Sequence, residues 1–175
     1  MKTQTILTIA KFLALLGGIK YSIEFGGQLT NLIASFINPE WAKHTYEVDL
    51  NVFNIREKSI VYYVFAMSLI IAVSALKATV WFVLYSLLLK LKLQTPFSMV
   101  VELKLERIAF LLMGVWLTGS FFMKTYAHYL SKDTGIELPI NNNGDEYFFM
   151  AGIVYIISQV FKRGIEIQDE NQLTV

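Results

Sequence analysis

Residues 60–89 read IVYYVFAMSLIIAVSALKATVWFVLYSLLL, thirty residues with a single charge, Lys77. A stretch so long and so poor in charge is a membrane span rather than a buried core helix. At about 1.5 Å per residue such a helix runs about 45 Å, against about 30 Å of hydrocarbon, so it must tilt or emerge at one end. The rest of the chain is read outward from this run.

Three further stretches qualify as spans. Ile108 to Met123 holds no charge, and its apolar character continues through Lys124 to Leu130. Tyr147 to Phe161 is short and needs Asn143–Glu146 or Lys162 to reach interfacial depth. Ile6 to Ile37 is interrupted by Lys11, Lys20 and Glu24. Lys2 followed by this N-terminal apolar stretch also fits the start of a signal peptide, but Lys11 breaks the apolar region and no A-x-A site follows, so a retained anchor is expected. The expectation is an all-α, polytopic membrane protein of one domain, residues 1–175. Its spans lie near 6–37, 60–89, 108–130 and 144–162, with a cytoplasmic tail at 163–175.

Composition agrees. Of 175 residues, 55% are hydrophobic and 17% charged, where soluble domains carry about 25% charged residues. Mean hydropathy is +0.50. This excludes a disordered chain and a basic, nucleic-acid-coating protein, and the absence of Cys excludes a disulfide scaffold. No direct nucleic-acid binding is expected from a net charge of +1.

Orientation follows from basic residues near the span ends. Lys2, Lys11, Lys90, Lys92, Lys104, Arg107, Lys162 and Arg163 lie on one side; Lys43, Arg56, Lys58, Lys124 and Lys132 lie on the other. The excess places both termini in the cytoplasm of a bacterial inner membrane. Trp41, Tyr62, Tyr63, Tyr126, Tyr129 and Tyr147 form an outer aromatic belt, with Trp81 and Tyr85 at the inner one.

Between the spans, Glu47–Ile55 alternates polar and apolar residues and predicts a short strand or hairpin. Residues 131–146 are rich in Asn and Gly and read as a loop, with Asn143 or Asp145 capping the last helix. On the cytoplasmic side, Thr95-Pro96 reads as an N-cap followed by Pro at the first helical position. Apolar residues then recur at Val100, Val101, Leu105, Ile108 and Leu112, an amphipathic segment running into the third span.

Two short stretches outside the spans carry a resemblance. Thr95-Pro-Phe-Ser98 precedes the amphipathic helix with Leu105, Arg107, Ile108 and Ala109, and the chain closes QVFKRGIEIQDENQLTV from Gln159. Together these resemble an uncharacterised family of small four-span bacterial membrane proteins, the domain of unknown function 2975 type. That family has a Pro-Phe-Ser turn between spans two and three and a C-terminal Arg-Gly-x-x-x-x-x-Glu-x-x-Leu-Thr-Val. Thr95 departs from it, since Asn is commoner there. The resemblance brings no activity. It implies a gene neighbourhood with a small helix-turn-helix regulator, and so a membrane protein that senses a signal or tethers that regulator.

Two sets of residues are candidate sites. The first is a partner-binding cytoplasmic face of Pro96, Phe97, Arg107, Arg163, Glu166, Asp169, Glu170, Asn171, Leu173, Thr174 and Val175. After Lys162-Arg163, Gly164 loosens or ends the helix. The tail then docks a partner, or its acids pair with Lys90, Lys92, Lys104 and Arg107 and pin it to the bundle, or it is disordered. The second set is intramembrane: Lys20 and Glu24 at i, i+4, continued by Gln28 and Asn31, with Lys77 in the second span. Buried ionisable groups are costly and point to function. Depth argues otherwise, because Glu24 lies about 27 Å along its helix, near the outer surface. Lys77 lies about 25 Å from Ile60, within snorkelling reach of the inner interface. The sharper alternative is a polar pocket in which Lys20 and Glu24 face Thr118, Ser120 or His128 and bind a small molecule or ion for transport.

Small residues (Gly17, Gly18, Gly26 and Gly27 in the first span; Gly114, Gly119 and Ser120 in the third) serve helix packing or a homodimer face. No G-x-x-x-x-G-K-[ST], H-E-x-x-H or G-x-S-x-G occurs, and His44 and His128 are far apart, so neither an enzyme nor a metal or cofactor is implied.

Overall fold

The computed structural model describes residues 3–45, 50–91, 97–138 and 144–172. They form helices α1 (Thr3–Ile37), α2 (Pro39–Thr45), α3 (Leu50–Lys58), α4 (Ile60–Lys90), α5 (Met99–Trp116), α6 (Met123–Thr134) and α7 (Asp145–Gln172). A π-helical turn, Leu117–Phe122, joins α5 to α6, so Met99–Thr134 is one continuous helix. No strand occurs among the described residues, and four helices are long and apolar enough to cross a membrane. The chain is an all-α polytopic membrane protein.

Each span runs antiparallel to the one it packs on. The Trp81 and Phe82 rings of α4 lie over Gly17 and Gly18 of α1, where any Cβ would collide with them, so these glycines set the α1–α4 approach. Lys104 of α5 donates to Ser86 Oγ of α4 at 2.8 Å, and the Tyr126 hydroxyl of α6 donates to the Tyr62 carbonyl at 2.7 Å. Phe110 and Trp116 stack on Tyr155 and Phe148 of α7. The packing order is therefore α1, α4, α5, α7. Thr3, Lys90, Met99 and Gln172 lie at one end of the bundle, the near end, and α2, α3 and Thr134 at the far end.

Each end has its own core. At the far end Val52 and Ile55 of α3 pack with Tyr63 and Met67 of α4 and Ala127 and Leu130 of α6. At the near end Leu87, Val101, Ile108, Leu112 and Ala151 interdigitate. The excess length of α4 is taken up at the far end, where its first turns pack on α3 and α6.

Four local expectations are corrected. Residues 50–58 form helix α3 and no strand; residues 46–49 lie outside the described residues. Val48, Leu50 and Val52 alternate, but Val52, Phe53 and Ile55 are all buried, which is a helical face. Ser59 alone separates α3 from α4, and its N–H and C=O continue the hydrogen bonding of both, to the Ile55 carbonyl (2.8 Å) and from Tyr63 N–H (3.1 Å). Helix α5 starts at Met99 after Ser98, whose carbonyl accepts from Val101 and Glu102 N–H at 3.0 Å each. Thr95 and Pro96, read as N-cap and first helical residue, lie outside the described residues. Asp145 sits in the first turn of α7 instead of capping it, because its carboxylate is taken by Lys124 (3.6 Å) and Trp116 Nε1 (3.3 Å); Asn143 is outside the described residues.

The fourth correction concerns Gly164. Helix α7 passes through it and continues to Gln172. The Phe97 ring lies where a Cβ on Gly164 would stand, so this glycine serves close approach and does not end the helix. The residues around it, Lys162, Arg163, Glu166 and Gln168, favour helix.

Candidate functional site

The four intramembrane candidates meet in one polar layer where α1, α4 and α7 approach. On α1, Tyr21 and Glu24 are one turn apart; on antiparallel α4, Lys77 and Ser74 are one turn apart and face them in the same order. Ser74 Oγ, buried, donates to Glu24 Oε1 at 3.0 Å, and Gln28 Nε2 approaches the same oxygen at 3.5 Å. A carboxylate that accepts such charge-assisted bonds is held in place more strongly than a neutral acceptor. The Lys77 ammonium sits 5.5 Å from the Tyr21 ring centre and 5.4 Å from that of Tyr147, and Lys20 lies 5.1 Å from the Tyr21 ring. Each such contact contributes about 0.5–1 kcal/mol where exposed and about 2 kcal/mol where desolvated.

This corrects the depth reading. Lys77 does not reach for the near-end interface; its ammonium meets the first turn of α7, toward the N-terminal end of its own helix, as the tilt of helical side chains favours. Glu24 is bonded to Ser74 of α4, not to Thr118, Ser120 or His128. Ser120 lies in the π-helical turn, its buried hydroxyl without a partner among the described residues and Gly144 packed against it. His128 is exposed on α6.

α7 therefore begins level with Ser120, and Ser120 is fourteen residues, about 21 Å, from the far end of α6. The polar layer lies just inside that start.

The second candidate surface is at the near end. Phe97 packs edge-on against Phe161, ring centres 5.2 Å apart, and covers Gly164. Phe97, two residues before α5, is thereby joined to the extension of α7. Beyond them α7 carries Arg163, Glu166, Asp169, Glu170 and Asn171, all exposed. Of the alternatives for the tail, pinning by Glu166 is not what forms: Glu166 pairs with Arg163 on its own helix at 2.8 Å, and Lys104 bonds Ser86. Arg107 is exposed on α5. Pro96, Lys92, Leu173, Thr174 and Val175 lie outside the described residues. Glu102, which the sequence did not single out, is buried in the first turn of α5, where the positive end of the helix dipole favours a carboxylate.

Sequence reasoning missed Tyr21 and Ser74 as partners of the charged stripe. Their signal was the matched three-residue spacing, Tyr21/Glu24 and Ser74/Lys77, on two spans that must run antiparallel. Among the described residues no three His, Cys, Asp or Glu side chains gather as metal ligands. No family model, no curated protein and no solved structure matches this chain.

Proposed function

We propose that this multi-pass protein is a sensor or tether of the bacterial inner membrane, with the near end in the cytoplasm, where it holds a small helix-turn-helix regulator. The carrying observation is the Phe97–Phe161–Gly164 contact, which fixes the start of α5 against the α7 extension. About ten residues, Arg163–Gln172, project about 15 Å as an exposed helix with Glu166, Glu170 and half-exposed Ile167 along it. An acidic ridge beside an apolar residue suits a basic, DNA-binding partner by charge complementarity. For the membrane protein to switch, its two states must differ in affinity for that partner.

The test is a cross-linking pull-down from membranes with the full chain and with a version ending at Lys162. Recovery of a small DNA-binding protein by the full chain alone supports the reading; equal recovery by both, or by neither, removes it.

A second reading, a transporter or channel for a small molecule or ion, is favoured by the polar layer around Glu24 and Lys77. It requires that Glu24→Gln or Lys77→Met abolish flux while the α7 extension is dispensable.

A further inference from the structure

Gly17 and Gly18 of α1 are covered by the Trp81 and Phe82 rings of α4, but a Cβ at Gly26 or Gly27 would meet nothing within 4 Å. Among the described residues only α2 and α4 pack along α1, so the face carrying Gly27 is uncovered within the chain. Lys20, Glu24, Gly27 and Asn31 follow one another on that side at intervals of four, three and four residues, the seam spacing of paired helices. Lys20, Glu24 and Gly27 are exposed and Asn31 is half-buried.

A face that meets only acyl chains is apolar, and earlier in α1 it is: Ile9, Phe12, Leu13 and Leu16 are exposed. Past Ile19 the exposed side turns polar while the helix stays at lipid depth, since Leu29, Ile33 and Phe36 around Asn31 are exposed as well. Polar side chains there find partners inside the helix. The Thr30 hydroxyl donates to the Gly26 carbonyl at 2.8 Å, and the Ser35 hydroxyl to the Leu32 carbonyl at 2.7 Å. The Asn31 amide makes no such bond among the described residues, and an amide left unbonded in hydrocarbon is costly. Glu24 accepts both of its hydrogen bonds on Oε1, leaving Oε2, and Lys20 rests on the Tyr21 ring outside any ion pair.

A second copy of this chain supplies what each of these groups lacks. An amide carries both donor and acceptor, so two Asn31 side chains across a two-fold axis bond each other reciprocally. The same axis sets Lys20 of each copy beside Glu24 of the other, because opposite charges four residues apart along a seam are self-complementary in a parallel pair. Gly27 lies between the two sets, with Gly26 beside it, and lets the backbones approach closely. We propose that α1 is the interface of a parallel homodimer within the membrane, crossing at Gly27, with Asn31 hydrogen-bonded to its own copy. The interface stands independently of the docking surface at the near end.

The experiment is single-molecule photobleaching of the full chain, one dye per chain, in phosphatidylcholine/phosphatidylglycerol vesicles at falling protein-to-lipid ratios. Dimers are expected, and Asn31→Leu weakens association about five-fold or more, as loss of interhelical side-chain hydrogen bonds in lipid does. Gly27→Leu weakens it similarly by holding the backbones apart. Neither variant lowers the melting temperature of the monomer in detergent, because neither side chain meets another part of its own chain. In native membranes, oxidation of Gly27→Cys yields a disulfide-linked dimer, and Ile33→Cys, exposed on another face of α1, does not. Monomers at every ratio, or unchanged association of both variants, overturn the proposal. So does cross-linking at Ile33→Cys equal to that at Gly27→Cys. A lowered melting temperature of monomeric Asn31→Leu assigns the amide to the chain's own fold and overturns it as well.

Discussion

The contact between Phe97 and Gly164 makes a prediction whose sign reverses with background. Gly164 is interior to α7, and Gly→Ala in a helix interior gains about 0.8–1.0 kcal/mol of helix propensity. Here the added Cβ would stand 2.7, 2.8 and 3.0 Å from three carbons of the Phe97 ring, about 1 Å inside the usual carbon–carbon separation. The ring must move off, surrendering its contact with Phe161, and overpacking of this kind costs about 1–3 kcal/mol. Gly164→Ala alone is therefore expected to lower the protection of the α7 extension by up to about 2 kcal/mol, or about 30-fold in amide exchange. Removing the ring with Phe97→Ala frees the space, and Gly164→Ala in that background raises protection by about 1 kcal/mol. The assay is hydrogen exchange of peptides covering residues 162–172, on both single variants and the double variant in lipid nanodiscs. Additivity within about 0.5 kcal/mol refutes the reasoning, because a close contact between these two positions cannot leave them independent.

Other predictions follow from the same packing. Gly17→Leu drives a side chain into the Trp81 ring and lowers thermal stability in detergent by about 1–3 kcal/mol, whereas Gly27→Leu, which meets open space, is tolerated. Ser120→Ala removes a buried hydroxyl that has no partner among the described residues, so it leaves the melting temperature unchanged or raises it. Because the chain has no Cys, single-cysteine variants label without background. Ile167→Cys and Tyr129→Cys, both exposed and at opposite ends of the bundle, should react with an impermeant maleimide from opposite sides of the membrane, Ile167→Cys only after the cytoplasmic side is opened.

The spans were legible because apolar length is a property of each segment alone. Residues 60–89 and 108–123 announce themselves, and the structure keeps both within long helices. What was not legible depends on segments distant in sequence. Gly164 resembles a helix terminator until Phe97, sixty-seven residues earlier, is seen lying across it. Position along its helix sends Lys77 toward the inner interface, and only Tyr147, in the first turn of α7, shows that its ammonium points the other way. Residues 48–52 alternate like a strand, yet burial of Val52, Phe53 and Ile55 against α4 imposes a helix. The π-helical turn at Leu117–Phe122 leaves no pattern in the sequence.

The docking reading is tested most directly by placing a photo-cross-linker at Ile167 in the living cell, with the same group at Tyr129 as the opposite-end control. The account predicts a cross-link from Ile167, lost on Glu166→Lys/Glu170→Lys, to a small soluble DNA-binding protein, and none from Tyr129. Cross-links from Ile167 to lipid or integral proteins alone would contradict it.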